Sequence, residues 1–429
     1  MVFFKPVQTG ACHCLIMLLI SFSSTAANAQ QESIKMQDSR SREAMELMLD
    51  FAQRSGLDSG QSGRRYLWTD AFAVCNFLGL SRMTGNNRFR ELALRLVDQV
   101  HGTLGRHRHD DPRNGWISGL GEREAAAHPT RGGLRIGKQL AERAPAEPVN
   151  ERLEWDRDGQ YFHYLTKWMH ALDQLSRSTR RAEYNLWARE LAATAFATFT
   201  YLPAARWAPR RMYWKMSIDL TRPLVHSMGQ HDPLDGYITI LQLRSTAAAL
   251  PQAAAKPDLQ DETRQFAAMV RRGEWATADP LGLGGLLIDA YRVAQLRDEG
   301  TAAEQNLVED LLDASLAGLQ HYAKSSELEL PLEYRLAFRE LGLAIGLHAA
   351  EHMWQLANSD RGRSSTSARL RAQLEAIMQY APLRDEIEAF WRNTAHRDSG
   401  SWSEHRDINE VMLATSLAPD GFLVLESTR

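Results

Sequence analysis

SMGQHDPLDGYITILQLRSTAAAL, residues 227–250, changes character halfway along. Its first half sets His231, Asp232 and Asp235 among Gly229, Pro233 and Gly236, and its second half is apolar or small on most faces of a helix. A helix that is apolar nearly all round is buried on all sides, so this one belongs to the interior. Its polar start belongs to whatever space the interior leaves open. The same switch follows RRYLWTD (64–70), LEWDRDGQYFHY (153–164), ATADPLGLGG (276–285), LEYRLAFRELG (332–342) and SWSEHRDINE (401–410).

Buried helices are therefore expected near 66–80, 159–177, 234–249, 281–297, 334–357 and 406–418. Other segments carry one apolar stripe only. Phe89, Leu92, Leu96, Val97 and Val100 recur at helical spacing, as do Val308, Leu311, Leu312 and Leu319. Such one-sided helices are expected near 41–54, 86–104, 182–200, 258–272, 304–323 and 366–395. The fold class is all-α: six inner helices alternating with six outer ones, the organisation of an (α/α)6 toroid. The polar stretches share no consensus of the kind helical repeats carry, which argues against a solenoid.

This alternation resembles the six-hairpin glycosidase-like superfamily, which includes glycoside hydrolases, unsaturated-uronide hydrolases, polysaccharide lyases and sugar epimerases. The resemblance is one of architecture and covers most of the chain; no member's catalytic motif is matched residue for residue. It implies a location, the mouth where the loops leading into the inner helices gather and where sugars bind.

Within the first 29 residues Lys5 is the only charge, Leu15 to Phe22 form an apolar run, and Ala27-Asn28-Ala29 precede Gln30. That is the layout of a secretory signal, so a periplasmic or secreted protein with one toroid domain over 30–429 is expected. The run is too short to span a bilayer, and membrane insertion is not expected. Loss of the signal would remove Cys12 and Cys14 and leave Cys75 as the sole cysteine, so no internal disulfide can form. Cys75 sits in an apolar helix as an inert core thiol. With 44% hydrophobic residues there is enough apolar material for a large core. A net charge of −3 with both signs interspersed argues against a nucleic-acid binder.

Residues 101–154 break the rhythm, with HRHDDPRNGWISGLGERE and HPTRGGLRIGK rich in Gly, Arg and His. A stretch this long without a long helix is expected to be a lid or binding loop, and GLRIGK to form a short hairpin strand. Arg131, Arg135 and Lys138, set among Gly132, Gly133 and Gly137, could cradle an anion such as a sugar carboxylate or sulfate. His107, His109, Asp110 and Asp111 cluster without the helical spacing of a zinc site, and neither metal nor cofactor is expected.

Chemistry is expected where the polar stretches meet. Asp158, Gln160, His163, Trp155, Tyr161 and Trp168 crowd one loop and helix. Aromatic faces there can stack on sugar rings or simply pack the core. Asp158 can equally cap its helix. Asp232 and Asp279 each precede a Pro, the pattern of an N-cap followed by a first helical residue, and Asp235 either completes a capping box or points inward. Asp70, four residues into the first inner helix, must be paired with an Arg or face a wet cavity. His231, His405 and Glu404 occupy further helix starts as structural groups or as site residues.

Glycoside hydrolysis needs one carboxylic acid and one carboxylate. Asp158 and Asp235 are the expected pair with Asp70 in reserve; Trp155, Tyr161 and Trp168 form the stacking wall, Gln160, Glu404 and His405 hold hydroxyls, and Arg131, Arg135 and Lys138 neutralise an acidic oligosaccharide or envelope glycan. A polysaccharide lyase or sugar epimerase would instead use His163 or His231 as base with a Tyr. A non-catalytic periplasmic protein binding a glycan or a partner would have its polar helix starts capped and paired with no cavity joining them. No Gly-x-Ser-x-Gly elbow occurs, which weakens a serine hydrolase.

Overall fold

Small residues decide how closely the buried helices approach. The computed structural model describes residues 1, 39–59, 63–204, 209–250, 254, 256–271, 273–296, 302–360, 362 and 366–426. The secretory-signal expectation over 1–29 falls outside the described residues apart from Met1. The long helices are α1 (39–54), α2 (Leu67–Thr84), α3 (Asn87–Leu104), α4 (Phe162–Thr179), α5 (Ala182–Phe199), α6 (Asp232–Ala249) and α7 (Gln260–Val270), followed by α8 (Pro280–Gln295), α9 (Ala302–Tyr322), α10 (Ala337–Asn358), α11 (Ala368–Met378), α12 (Ala381–Arg392) and α13 (Arg406–Leu417). The protein is predominantly helical.

Two kinds of helix are distinguished by burial. Without a break α2 is buried from Leu67 to Leu78, α4 from Trp168 to Arg177, α10 from Glu340 to Leu347 and α13 from Asn409 to Leu417. By contrast α3 buries one stripe, Phe89, Leu92, Ala93, Leu96, Val97, Val100, His101 and Leu104. The fully buried helices contact one another in sequence: α2 packs on α4, α4 on α6, α6 on α8, α8 on α10, α10 on α13, and α13 on α2. Five of them have outer neighbours against their backs, α3 on α2, α5 on α4, α7 on α6, α9 on α8, and α11 and α12 on α10. Helix α1 is tied to the end of α12 and the turn after it through Glu43, which accepts from Arg392 and Arg397 at 2.7 Å.

The α8–α10 pair shows why the inner segments are rich in glycine. A methyl group on Gly284 would lie 2.0 Å from the Gly342 carbonyl oxygen, and one on Gly346 2.5 Å from the Gly284 Cα. Backbone meets backbone there. At the far end the short helix Asp420–Leu423 stacks Phe422 on Phe72 at 4.3 Å.

Two expectations need correction. The single outer helix over 366–395 is two, because the chain turns at Gln379-Tyr380 and Pro382 sits in the first turn of α12. The segment GLRIGK makes no strand: Leu134 and Ile136 are buried in an extended strap, the Ile136 carbonyl accepting from Leu67 N–H at 3.0 Å and its N–H donating to the Gly159 carbonyl at 2.8 Å. Gly137 has φ 93° there, and a side chain on it would strike the Arg65 carbonyl. A second irregular region, between α5 and α6, was not foreseen as such. It holds β2 (Thr200–Tyr201) paired antiparallel with β3 (Arg211–Met212), and β4 (Lys215–Met216) between β1 (Gln160–Tyr161) and β5 (Pro223–Val225), with Gln160 opposite Met216 and Tyr161 opposite Lys215. No helix among the described residues is long and apolar enough to cross a membrane.

Candidate functional site

All six buried helices, or the loops leading into them, contribute to one cavity of about 290 Å3. Trp68 and Phe72 come from α2, His163 and Lys167 from α4, and Gln230, His231, Asp232 and Asp235 from the start of α6. Asp279 and Asp289 come from α8 and its cap, Gly342 and Ile345 from α10, and Met412 from α13. Trp214, at the turn between β3 and β4, completes the wall.

The start of α6 supplies most of the chemistry. His231, not Asp232, occupies the N-cap position, in helical conformation and without a side-chain cap; its Nε2 lies 2.8 Å from the Trp275 carbonyl, to which it donates. Asp232 is thereby the first helical residue, and its Oδ2 is buried with no hydrogen-bond partner. Burial, and then the charge of Asp235, push this carboxyl up to about 7. Asp235 faces inward: it accepts from Lys167 Nζ at 2.8 Å and from the Thr166 hydroxyl, and lies 3.4 Å from Arg292 Nη1. Burial opposes its ionisation, but Lys167 and Arg292 hold it below the usual carboxylate range.

A third carboxylate, Asp289, lies 3.1 Å from Arg292 Nη1. Burial and the Asp235 charge raise it to about 6. Arg292 is itself saturated, its other N–H groups reaching Thr239 at 3.1 Å and the Gln242 amide oxygen at 2.8 Å. Further along the helices the polar chain continues through Gln242 to Asp173 at 2.8 Å, which also accepts from Arg177, Asn185 and Thr246.

His163 is neutral at pH 7, since burial and then Lys167 lower its pKa to about 4. The Trp214 indole donates to its Nδ1 at 3.3 Å, and because an indole N–H can only donate, the ring hydrogen of neutral His163 sits on Nε2. Its Nδ1 lies 3.9 Å from Asp232 Oδ1. Burial likewise lowers His231. Trp214 stands edge-on to Trp155, with ring centroids 4.8 Å apart, and Trp155 is 48% exposed, so aromatic surface continues from the cavity to solvent.

Of the expected site residues, Asp235, His163 and His231 meet in this cavity and Trp155 stands at its edge through Trp214. Asp158 does not line it. Wholly buried, it accepts from Arg135 at 2.9 Å and from the backbone N–H groups of Gly137, Lys138 and Gly159 at 2.9, 3.3 and 3.1 Å, with Arg108 at 3.4 Å. It knots the strap to the start of α4. Asp70 is held by Tyr66 N–H at 3.0 Å and faces Arg65 at 3.6 Å. Gln160 bonds the backbone of Gly132, Leu134 and Ile218. Trp168 donates to His101 in the core, and Tyr161 packs on His163 with Lys138 5.9 Å above its ring.

Arg131 pairs with Glu190, and Arg135 with Asp158 and two backbone carbonyls. Glu404 is exposed, and His405 packs on Phe338. No residue of 101–154 lines the cavity. The acids of the HRHDD cluster are taken by arginines, Asp110 by Arg108 and Asp111 by Arg113. Among the described residues no group of three His, Cys, Asp or Glu is placed to hold a metal.

Sequence reasoning passed over Lys167, Asp289, Arg292 and Trp214. The first three were detectable as charges within largely apolar inner segments, which must be paired or face a cavity. Trp214 gave no such signal. Its role depends on a fold of the 200–231 region that periodicity does not reveal. The chain matches no protein-family model and no curated protein sequence.

Proposed function

We propose that the protein is an exported carbohydrate-active hydrolase whose six buried helices form the inner wall of an (α/α)6 toroid, with the cavity at its mouth as the active site. The cyclic order of contacts among those helices supports the architecture. One observation carries the chemistry: Asp232, Asp235 and Asp289 share a cavity that pulls their protonation in opposite directions. Neighbouring carboxyls driven apart in this way divide into acid and base. Asp232, uncharged until about pH 7 and with a free oxygen, is the proton donor to the leaving oxygen. Asp235, ionised between Lys167 and Arg292, is the carboxylate that stabilises positive charge on the sugar ring or orients water. Trp68 and Trp214 offer faces for the ring, and Trp155 extends the stacking surface outward.

The test is release of reducing ends from a panel of oligosaccharides by the wild-type protein and by Asp232→Asn and Asp235→Asn. Loss of turnover in both, with binding retained in Asp232→Asn, is the expected result. Turnover that survives both substitutions ends the assignment. A second reading rests on His163, a neutral imidazole in the same cavity whose Nδ1 would abstract a proton beside a carboxylate once the Trp214 indole releases it, as in a lyase or epimerase. A lyase releases an unsaturated product absorbing in the ultraviolet.

A further inference from the structure

Resting on the hydrolase reading, we infer that the sugar ring held in the cavity is uncharged and that a uronate or sulfated ring is selected against. An acidic substrate was the natural expectation from Arg131, Arg135 and Lys138, and each of those has an occupation outside the cavity. Arg131 faces Glu190 and Glu124; Arg135 is spent on Asp158, Thr103 and Arg106; Lys138 lies over Tyr161. Arg131 and Arg135, engaged by carboxylates and carbonyls, have little attraction left for an incoming anion, and Lys138 does not line the cavity.

Inside the cavity, too, no cation among the described residues stands free. Among the described lining residues Lys167 is the only lysine or arginine, and its ammonium lies 2.8 Å from Asp235. Behind the wall, Arg292 divides its charge between Asp235 and Asp289, at 3.4 and 3.1 Å. Asp279 is met by Arg339 at 2.6 Å. The two cations are thus matched by Asp235 and Asp289, while Asp232, protonated up to about pH 7, keeps its Oδ2 buried and without a hydrogen-bond partner. The groups with hydrogens to spare are indole and imidazole: Trp68 Nε1 is buried without a partner, and His163 carries its hydrogen on Nε2. Such a lining exchanges hydrogen bonds with hydroxyls. An anionic ring would be brought within a few ångströms of Asp235 and Asp289 with no free cation to receive it, and like charges in a partly desolvated site repel strongly.

Binding of matched pairs of oligosaccharides, gluco-, galacto- and manno-configured, each with its uronate counterpart of equal length, can be followed by tryptophan fluorescence on the intact protein, together with reducing-end release. For whichever configuration is accepted, the neutral member should bind at least about tenfold more tightly than its uronate. Arg131→Ala, a half-exposed position away from the cavity, should leave that ratio unchanged. Preference for a uronate, or selective loss of uronate binding in Arg131→Ala, overturns the inference and leaves the hydrolase reading standing. Absence of binding and turnover with every sugar overturns the hydrolase reading itself and this inference with it.

Discussion

Replacing Asp232 by Asn should make the protein more stable while disabling it, and the gain should grow with pH. Burial lifts this carboxyl from its ordinary 3.8 to about 7. The folded state therefore holds a proton that the unfolded chain has released over the interval between those values. Stability falls with rising pH wherever the folded state binds more protons, so the wild type loses stability from about pH 4 to about pH 7 and then levels off. At about 1.4 kcal/mol per pH unit the full penalty is about 4 kcal/mol, of which roughly 1 to 2 is already present near pH 5. An amide at the same place carries none of it. Asp235→Asn should act in the opposite sense: it leaves Lys167 and Arg292 facing no ionised partner at that position, and breaking a buried pair costs about 3 to 5 kcal/mol. Urea unfolding followed by tryptophan fluorescence at about pH 5 and about pH 8 measures both. If Asp232→Asn is less stable than wild type at the higher pH, or its advantage does not change between the two, the carboxyl is not the strained proton carrier described here.

Asp158→Asn should destabilise by about 2 to 4 kcal/mol in the same assay, because the buried anion that Arg135 and three backbone N–H groups share is lost, while the folded protein keeps its kcat on any accepted glycan. Gly284→Leu should lower the melting temperature by at least several degrees, since any side chain at that crossing strikes the Gly342 backbone; unchanged melting would mean that α8 and α10 do not pack so closely. Trp155→Ala should alter stability by less than about 0.5 kcal/mol yet raise KM for longer oligosaccharides more than for short ones. The dependence of kcat/KM on pH should fall off above about 7 as Asp232 ionises, and a profile flat to higher pH would remove it as proton donor.

Periodicity carried the fold further than it carried the site. Burial on all faces against burial on one stripe separates α2 from α3 in the sequence as clearly as in the structure, and the six buried segments fall within a few residues of their expected positions. What escaped was set by contacts distant in sequence. The strap over 133–138 is extended because Leu67 and Gly159, far apart along the chain, bond to Ile136 on either side. Asp158 looked like a site acid because nothing local reveals that Arg135 and a row of backbone N–H groups converge on it. Charges within the inner helices, Lys167, Asp289 and Arg292, carried a signal that the acids at helix starts do not, because a helix start offers a carboxylate an ordinary capping use, whereas a charge inside a largely apolar helix must be paired or face a cavity.

The dipeptide Asp-Pro makes the point at two places. In both α6 and α8 it stands at the first turn, and by composition alone both acids are caps. Asp279 is one: with extended backbone it sits before the helix, accepts from Gly282 N–H at 3.0 Å and pairs with Arg339. At α6 the preceding residue, His231, already has helical backbone, so the helix begins one residue earlier and Asp232 lies inside it. From that position its carboxylate cannot reach back to cap, and it turns instead beside Gly229, whose lack of a side chain leaves room for it, toward His163 and the cavity. One residue of helix register thus converts a satisfied cap into a buried acid with an idle oxygen. It is this idleness, rather than the residue's chemistry or its place in the sequence, on which the proposed role of Asp232 as proton donor rests.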